Sequence, residues 1–167
     1  GVSSREGRLD HFGRVVQNPV QINIGLQLGA ATESRCWPVS HWVRLAGMLV
    51  AAWPRVKIVL IRGGTERERA QRFMQSVNTT TAKHVDDRIG TTGLQQMITL
   101  LDGFDVLVTG DTGPLHVAIA LKVKTISLFV TADPRSTGPL QDPELHRVLH
   151  LSRTGYPMPP VAASHMG

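Results

Sequence analysis

A single cysteine, Cys36, in 167 residues excludes an internal disulfide and any cysteine-based zinc cluster, and suits a reducing compartment. Aromatic residues make up only 5% of the chain. That leaves little for stacking bases, so nucleic acid falls well behind a small phosphorylated ligand as a partner. No uninterrupted apolar run approaches the roughly 20 residues of a membrane-spanning helix, and residues 1–8 carry no apolar core of secretory type. Three chemical signatures are also missing. Without Gly-x-x-x-x-Gly-Lys-Ser/Thr or Gly-x-Gly-x-x-Gly, phosphate-loop nucleotidase and NAD-dependent chemistry lose support, and without Gly-x-Ser-x-Gly so does a serine-hydrolase elbow. His41, His84, His146 and His150 show no metal-ligand spacing, and no metal site is expected.

What is present describes an ordinary globular domain. The apolar share of 41% and the length fit one hydrophobic core. Lys and Arg number 18 against 13 Asp and Glu, a net charge of +5. That balance favours phosphates on a nucleotide or an anionic surface. The arginines are dispersed along the chain (Arg35, Arg44, Arg55, Arg62, Arg67, Arg69, Arg72) rather than massed in one basic run.

Residues 1–19 are polar and unpatterned, and read as an arm or linker remnant. Apolar residues then fall at every second position over 20–29, a half-buried strand. The spacing predicts a helix over 40–53, closed by Pro54, then a strand over 56–61 whose nearly continuous apolar run suits burial on both faces. Thr65 is placed to cap a helix over 66–77. A short strand near 82–86, a helix over 94–102, a strand over 105–109, a helix over 114–122, a strand over 125–129 and an edge strand over 148–151 follow. Residues 152–167 read as a disordered tail. Strands alternating with helices imply an α/β fold, a Rossmann-like doubly wound parallel sheet over residues 20–151.

Ligands of such sheets bind in the loops at the carboxyl ends of the strands, here 29–38, 62–66, 87–94 and 109–114. The most informative is Gly110-Asp111-Thr112-Gly113-Pro114-Leu115-His116. Its glycines let backbone N–H groups approach an anion, Pro114 fits the first helical turn, and the helix N-terminus offers free donors and positive dipole. Asp111 adds an acceptor for sugar hydroxyls. The same residues also read as a plain helix cap, with His116 packed inside. Arg35 supplies a forked cation suited to a diphosphate, or is simply solvated beside a Trp37 core anchor. Glu66, after Gly63-Gly64-Thr65, can accept both hydroxyls of a ribose, or merely favours the helix dipole.

Asp111-Thr112-Gly113-Pro114-Leu115-His116 with Thr125-Ile126-Ser127-Leu128-Phe129, Thr131-Ala132-Asp133-Pro134, Arg35-Cys36-Trp37-Pro38 and Gly63-Gly64-Thr65-Glu66 together resemble the signature of the ADP-heptose:lipopolysaccharide heptosyltransferases, glycosyltransferase family 9. The similarity runs from about residue 20 to 151. The resemblance implies a two-domain GT-B fold, of which this chain is similar to the C-terminal, donor-binding half. It implies that Thr112 and Gly113, with Pro114 beside them, meet the donor diphosphate. Asp111 would meet the heptose hydroxyls and Glu66 the ribose, while the segment around Thr92 offers backbone contacts to adenine and His116 supports the site. Arg35 stands where the family commonly has Lys. The resemblance further implies heptose transfer to the lipopolysaccharide inner core without metal or cofactor. The catalytic base and the acceptor contacts are expected in an N-terminal domain, so no catalytic residue is expected in this chain, nor turnover by it alone. A cytoplasmic location, peripheral at the inner membrane, goes with that function. A different nucleotide sugar, or a non-catalytic nucleotide-binding module, are the alternatives.

Overall fold

The computed structural model describes residues 8–9, 15–16, 21–30, 32–62, 66–89, 93–110, 112–129 and 142–150. Two short strands, β1 (Arg8–Leu9) and β2 (Val15–Val16), pair antiparallel within the segment whose composition announced only an arm. The body of the chain alternates β3 (Ile22–Gln27), α1 (Val39–Ala52), β4 (Val56–Arg62), α2 (Arg67–Ser76), α3 (Thr79–Ala82), β5 (Val85–Ile89), α4 (Leu94–Asp102), β6 (Val106–Thr109), α5 (Gly113–Ala120), β7 (Lys124–Phe129) and β8 (His146–His150). No helix among the described residues is long and apolar enough to cross a membrane.

The six strands from β3 onward form one sheet in the order β5-β4-β3-β6-β7-β8, every neighbouring pair parallel. The chain therefore winds outward from β3 to one edge, returns to lay β6 on its other side, and winds outward again. The strand order reverses between β3 and β6, which is where a doubly wound sheet opens a crevice at its carboxyl edge.

Alternation along each strand feeds two cores. Ile24, Leu26, Ile58, Leu60 and Val108 face Trp42 and Ala46 of α1 and Ala70 and Phe73 of α2. Val59, Ile61 and Leu107 face Leu101 of α4, Phe104 and Ala118 of α5. Burial on both sides explains why β4 reads as an unbroken apolar run. Each helix stops for a local reason. In α1 the Trp53 N–H bonds back to the Leu49 carbonyl and Pro54 cannot continue the ladder.

Boundaries differ from the sequence reading where side chains carried a weak signal. The strand expected at 82–86 lies at Val85–Ile89, at the sheet edge, where Asp86, Asp87 and Arg88 break the apolar pattern. Before it, the unanticipated turn α3 is started by Asn78, whose side-chain oxygen accepts from the Thr81 N–H at 2.7 Å. The last strand begins at His146 rather than Val148, because His146 is buried and its Nδ1 hydrogen-bonds the Thr125 hydroxyl at 2.8 Å.

Candidate functional site

Two strand ends border the crevice. On one side β6 ends at Thr109 and α5 begins at Gly113, with Thr112 in extended backbone at the N-cap. The Thr112 side chain makes no cap hydrogen bond; its hydroxyl lies 3.0 Å from that of Thr109. Thr109 also donates to the Gly110 carbonyl at 3.1 Å. One proton cannot serve both directions, so the pair can reverse. When Thr109 donates to Thr112, the Thr112 proton is released toward a ligand.

The backbone of this corner is receptive. The Leu115 N–H bonds to the Thr112 carbonyl at 3.1 Å, Pro114 has no N–H to satisfy, and the Gly113 N–H has no protein acceptor among the described residues. A side chain added at Gly113 would meet nothing within 4 Å. Among the described residues nothing fills this position, at the positive end of the α5 dipole. His116, which could have packed inside, is exposed on the first turn of α5. Thr92 and Asp111 lie outside the described residues.

The other side is closed. Glu66 takes the N-cap position of α2, where Thr65, also outside the described residues, was expected to sit. It makes no cap hydrogen bond and turns toward the sheet instead. Its carboxylate is buried, and Nε2 of Gln27, the last residue of β3, lies 2.8 and 2.9 Å from its two oxygens. Gly29 lies against it so closely that a Cβ there would overlap Oε1, Cδ and Cγ of Glu66.

One turn further along α2, Arg69 is 6% exposed. Its Nε donates to the Leu28 carbonyl at 3.1 Å and its two terminal nitrogens to the Trp37 carbonyl and to Glu33. A planar five-donor head suits three acceptors spread around a loop. The guanidinium therefore ties both ends of the 28–37 loop to α2. Arg35, on the single turn Glu33–Arg35, is exposed. Trp37 is half-buried against the core, edge-on to Trp42 and stacked on His41. Burial raises the pKa of the Cys36 thiol in the same loop, and the thiol donates to the Thr32 carbonyl at 3.4 Å.

The sequence-derived residues thus fall on two borders of one crevice: Thr112, Gly113, Pro114 and His116 at the α5 start, Glu66 and Arg35 at the β4–α2 and β3–α1 junctions. Gln27, Arg69 and Thr109 were not among them. Their common signal is a polar residue at the end of a buried strand or one turn into a helix beside it. A groove of about 420 Å³ between α2 and β5 is lined by Arg67, Gln71, Met74, Gln75 and Asp87, none of which came from the motifs. Among the described residues no cluster of His, Cys, Asp or Glu could hold a metal ion.

A parallel six-stranded sheet whose strand order reverses at its centre, with helices packed on both faces, defines a Rossmann-like α/β domain. The profile of glycosyltransferase family 9 (heptosyltransferase) matches residues 4–155, past both ends of the motif-bearing region, and the chain belongs to that family. The lipopolysaccharide heptosyltransferase 2 of Escherichia coli K12 is 30% identical over 132 residues, 79% of this chain and 36% of the relative. The lipooligosaccharide heptosyltransferase 2 of Haemophilus influenzae is 25% identical over 118 residues, 71% of this chain and 33% of that one. The solved E. coli ADP-heptose lps heptosyltransferase II superposes with a TM-score of 0.70 at 28% identity, over 77% of this chain and 38% of that chain. The E. coli heptosyltransferase WaaC with ADP gives 0.66 at 24% identity, over 78% and 38%, a likeness of fold. This chain spans little more than a third of the length of these relatives.

Proposed function

We propose that the chain binds the nucleotide-sugar donor of a heptosyltransferase, an ADP-heptose-like molecule, for transfer of heptose to the inner core of lipopolysaccharide. In this reading the diphosphate sits over the α5 start, on the Gly113 N–H and the Thr112 hydroxyl, with Pro114 shaping the turn and His116 beside it. Asp111 takes the heptose hydroxyls, Glu66 the ribose, and Arg35 reaches the diphosphate from the facing loop. Backbone near Thr92 reads adenine. The reaction is then an inverting transfer in which this chain stabilises the departing diphosphate by dipole and hydrogen bonds, with neither metal nor cofactor. A carboxylate outside this chain serves as base on the acceptor hydroxyl, so the chain alone binds donor without turnover. The acceptor, a lipopolysaccharide core, is met through that other part of the enzyme, at the cytoplasmic face of the inner membrane.

The observation that carries the reading is the corner itself: among the described residues the Gly113 amide has no acceptor and nothing stands within 4 Å of a side chain added there, at the positive end of a helix and at the strand-order reversal. The relative whose name includes ADP-heptose supports the choice of donor. Calorimetric titration with ADP, GDP and UDP tests it. ADP is expected to bind best, and Thr112→Ala to weaken it about tenfold or more, the worth of one hydrogen bond to a charged group. Asp111→Ala should leave ADP nearly unaffected and weaken the sugar nucleotide. No heat with any nucleotide, or equal heat with and without Thr112, overturns the proposal.

A further inference from the structure

We infer that Arg69 is a positioning residue for the donor: it holds the Glu33 carboxylate away from Arg35, and so leaves the Arg35 guanidinium free to meet a diphosphate. The inference rests on the reading of Arg35 as a diphosphate contact and deepens it.

The loop from Leu28 to Trp37 contains one acidic and one basic residue, Glu33 and Arg35. Both stand on the single turn Glu33–Arg35, and both are exposed. Two residues of chain span at most about 7 Å, inside the screening length of about 8 Å at physiological salt. Left to itself, such a turn offers an anion no net charge. Its carboxylate is free to pair with the arginine and repels a diphosphate that approaches it.

The structure separates the two charges. The Glu33 carboxylate turns back to α2, where Nη1 of Arg69 lies 2.7 Å from its Oε1. Among the described residues no hydrogen bond or ion pair engages the Arg35 side chain.

The partners of this ion pair are unequal. The Arg69 side chain is 8% exposed and that of Glu33 80%. An exposed pair is ordinarily weak because two long side chains must be ordered at once. Here one of them is already ordered. Nε of Arg69 donates to the Leu28 carbonyl at 3.1 Å and Nη2 to the Trp37 carbonyl, so the guanidinium is fixed by the two ends of the loop that carries Glu33.

The choice of residue follows from charge. A buried guanidinium needs a compensating anion. The two carbonyls accept its hydrogen bonds without cancelling its charge, and Glu33 does cancel it. Arg69 and Glu33 thus neutralise each other, and one positive charge, that of Arg35, is left on the exposed turn. A neutral donor at position 69 could close the loop on its carbonyls, but it would leave Glu33 to Arg35.

The test measures affinities of the full chain for inorganic pyrophosphate and ADP at one ionic strength, in the wild type, Arg35→Gln, Arg69→Met, Glu33→Gln and their combinations. Arg35→Gln should weaken pyrophosphate about tenfold or more, the loss of a hydrogen bond between charged groups. Arg69→Met should weaken it about fivefold, and adding Glu33→Gln should regain about threefold or more. Glu33→Gln alone should shift it by less than about twofold, and so should Arg69→Met on the Arg35→Gln background. ADP should change by the same factors. Should Arg69→Met not fold, Arg69→Gln, which keeps a donor for the loop but no cation for Glu33, carries the same comparison. If Glu33→Gln regains nothing once Arg69 is replaced, or raises affinity by the same factor with and without Arg69, the inference is wrong and the Arg35 reading stands. If Arg35→Gln leaves pyrophosphate affinity unchanged, the Arg35 reading fails and takes the inference with it.

Discussion

Gly29→Ala is the sharpest probe of the closed border. The new methyl group would overlap Glu66 at Cγ, Cδ and Oε1, all along the end of the side chain, so a small adjustment of the carboxylate cannot accommodate it. Glu66 must swing away, and both contacts from Gln27, at 2.8 and 2.9 Å, are lost. A hydrogen bond to a charged group contributes about 1.5–3 kcal/mol, and overpacking at a tight site costs about 1–3 kcal/mol. Since swinging out relieves part of the second term, the expected destabilisation is about 2–4 kcal/mol, roughly 6–12 °C in midpoint for a domain of this size. The assay is urea unfolding followed by tryptophan fluorescence, with Gly29→Ala, Glu66→Ala and the double variant in one cycle. Glu66→Ala strands the buried Gln27 nitrogen and should cost about 1–3 kcal/mol. On that background the alanine at 29 has nothing to strike and should cost less than about 0.5 kcal/mol. Strictly additive costs, or a stable Gly29→Ala, would refute the idea that Gly29 is glycine because Glu66 lies on it.

Gly113→Ala should behave oppositely: with open space at that position, thermal stability should stay within about 0.5 kcal/mol, while calorimetry should show ADP affinity falling at least tenfold. Arg69→Met should cost about 2–4 kcal/mol, because it leaves the Leu28 and Trp37 carbonyls without their donor, and should shift the emission of Trp37. Glu33→Gln, altering the exposed partner of the same guanidinium, should cost less than about 0.5 kcal/mol in the same melts. Burial lowers the pKa of His146 below its ordinary 6.5. The unfolded chain therefore takes up a proton before the folded one does, and the contribution to stability present above pH 6.5 is lost as pH falls below it. Urea midpoints should drop on acidification below pH 6.5, and His146→Gln should flatten that slope.

Fold class was legible because period-two and period-3.6 patterns survive wherever a strand or helix has a definite buried face. The alternation over 20–29 and the three- and four-residue spacing over 40–53 announce themselves this way. Strand order was not legible, since nothing local in β3 or β6 records that they pair with each other. Elements failed to show where side chains answered to solvent: β5 carries Asp86 and Asp87 at an edge, and the three threonines of α3 are poor helix formers rescued by Asn78. At the site, Glu66 and Thr112 stood out because glycines precede or follow them. Gln27 and Arg69 did not, because their roles come from distances of 39 and 41 residues along the chain. Arg69 read as one more dispersed arginine, although it is nearly inaccessible to water.

The two borders of the crevice differ in the kind of recognition they permit. In the proposed reading hydroxyl groups are read by direction, so the surface that reads them must be rigid; the Gln27–Glu66–Gly29 contact and the Arg69 tether would supply that rigidity before binding. A diphosphate presents several equivalent oxygens and a diffuse charge, and needs only amides and a dipole within reach. Open space at Gly113 suffices. It follows that damage on the two sides should separate by ligand. Gly113→Ala should weaken pyrophosphate, ADP and 2′-deoxy-ADP by the same factor, whereas Gly29→Ala should weaken ADP and spare pyrophosphate. Measured by competition at one ionic strength, equal losses across all three ligands for both variants would mean that the borders act as a single surface and that the division drawn from their packing is wrong.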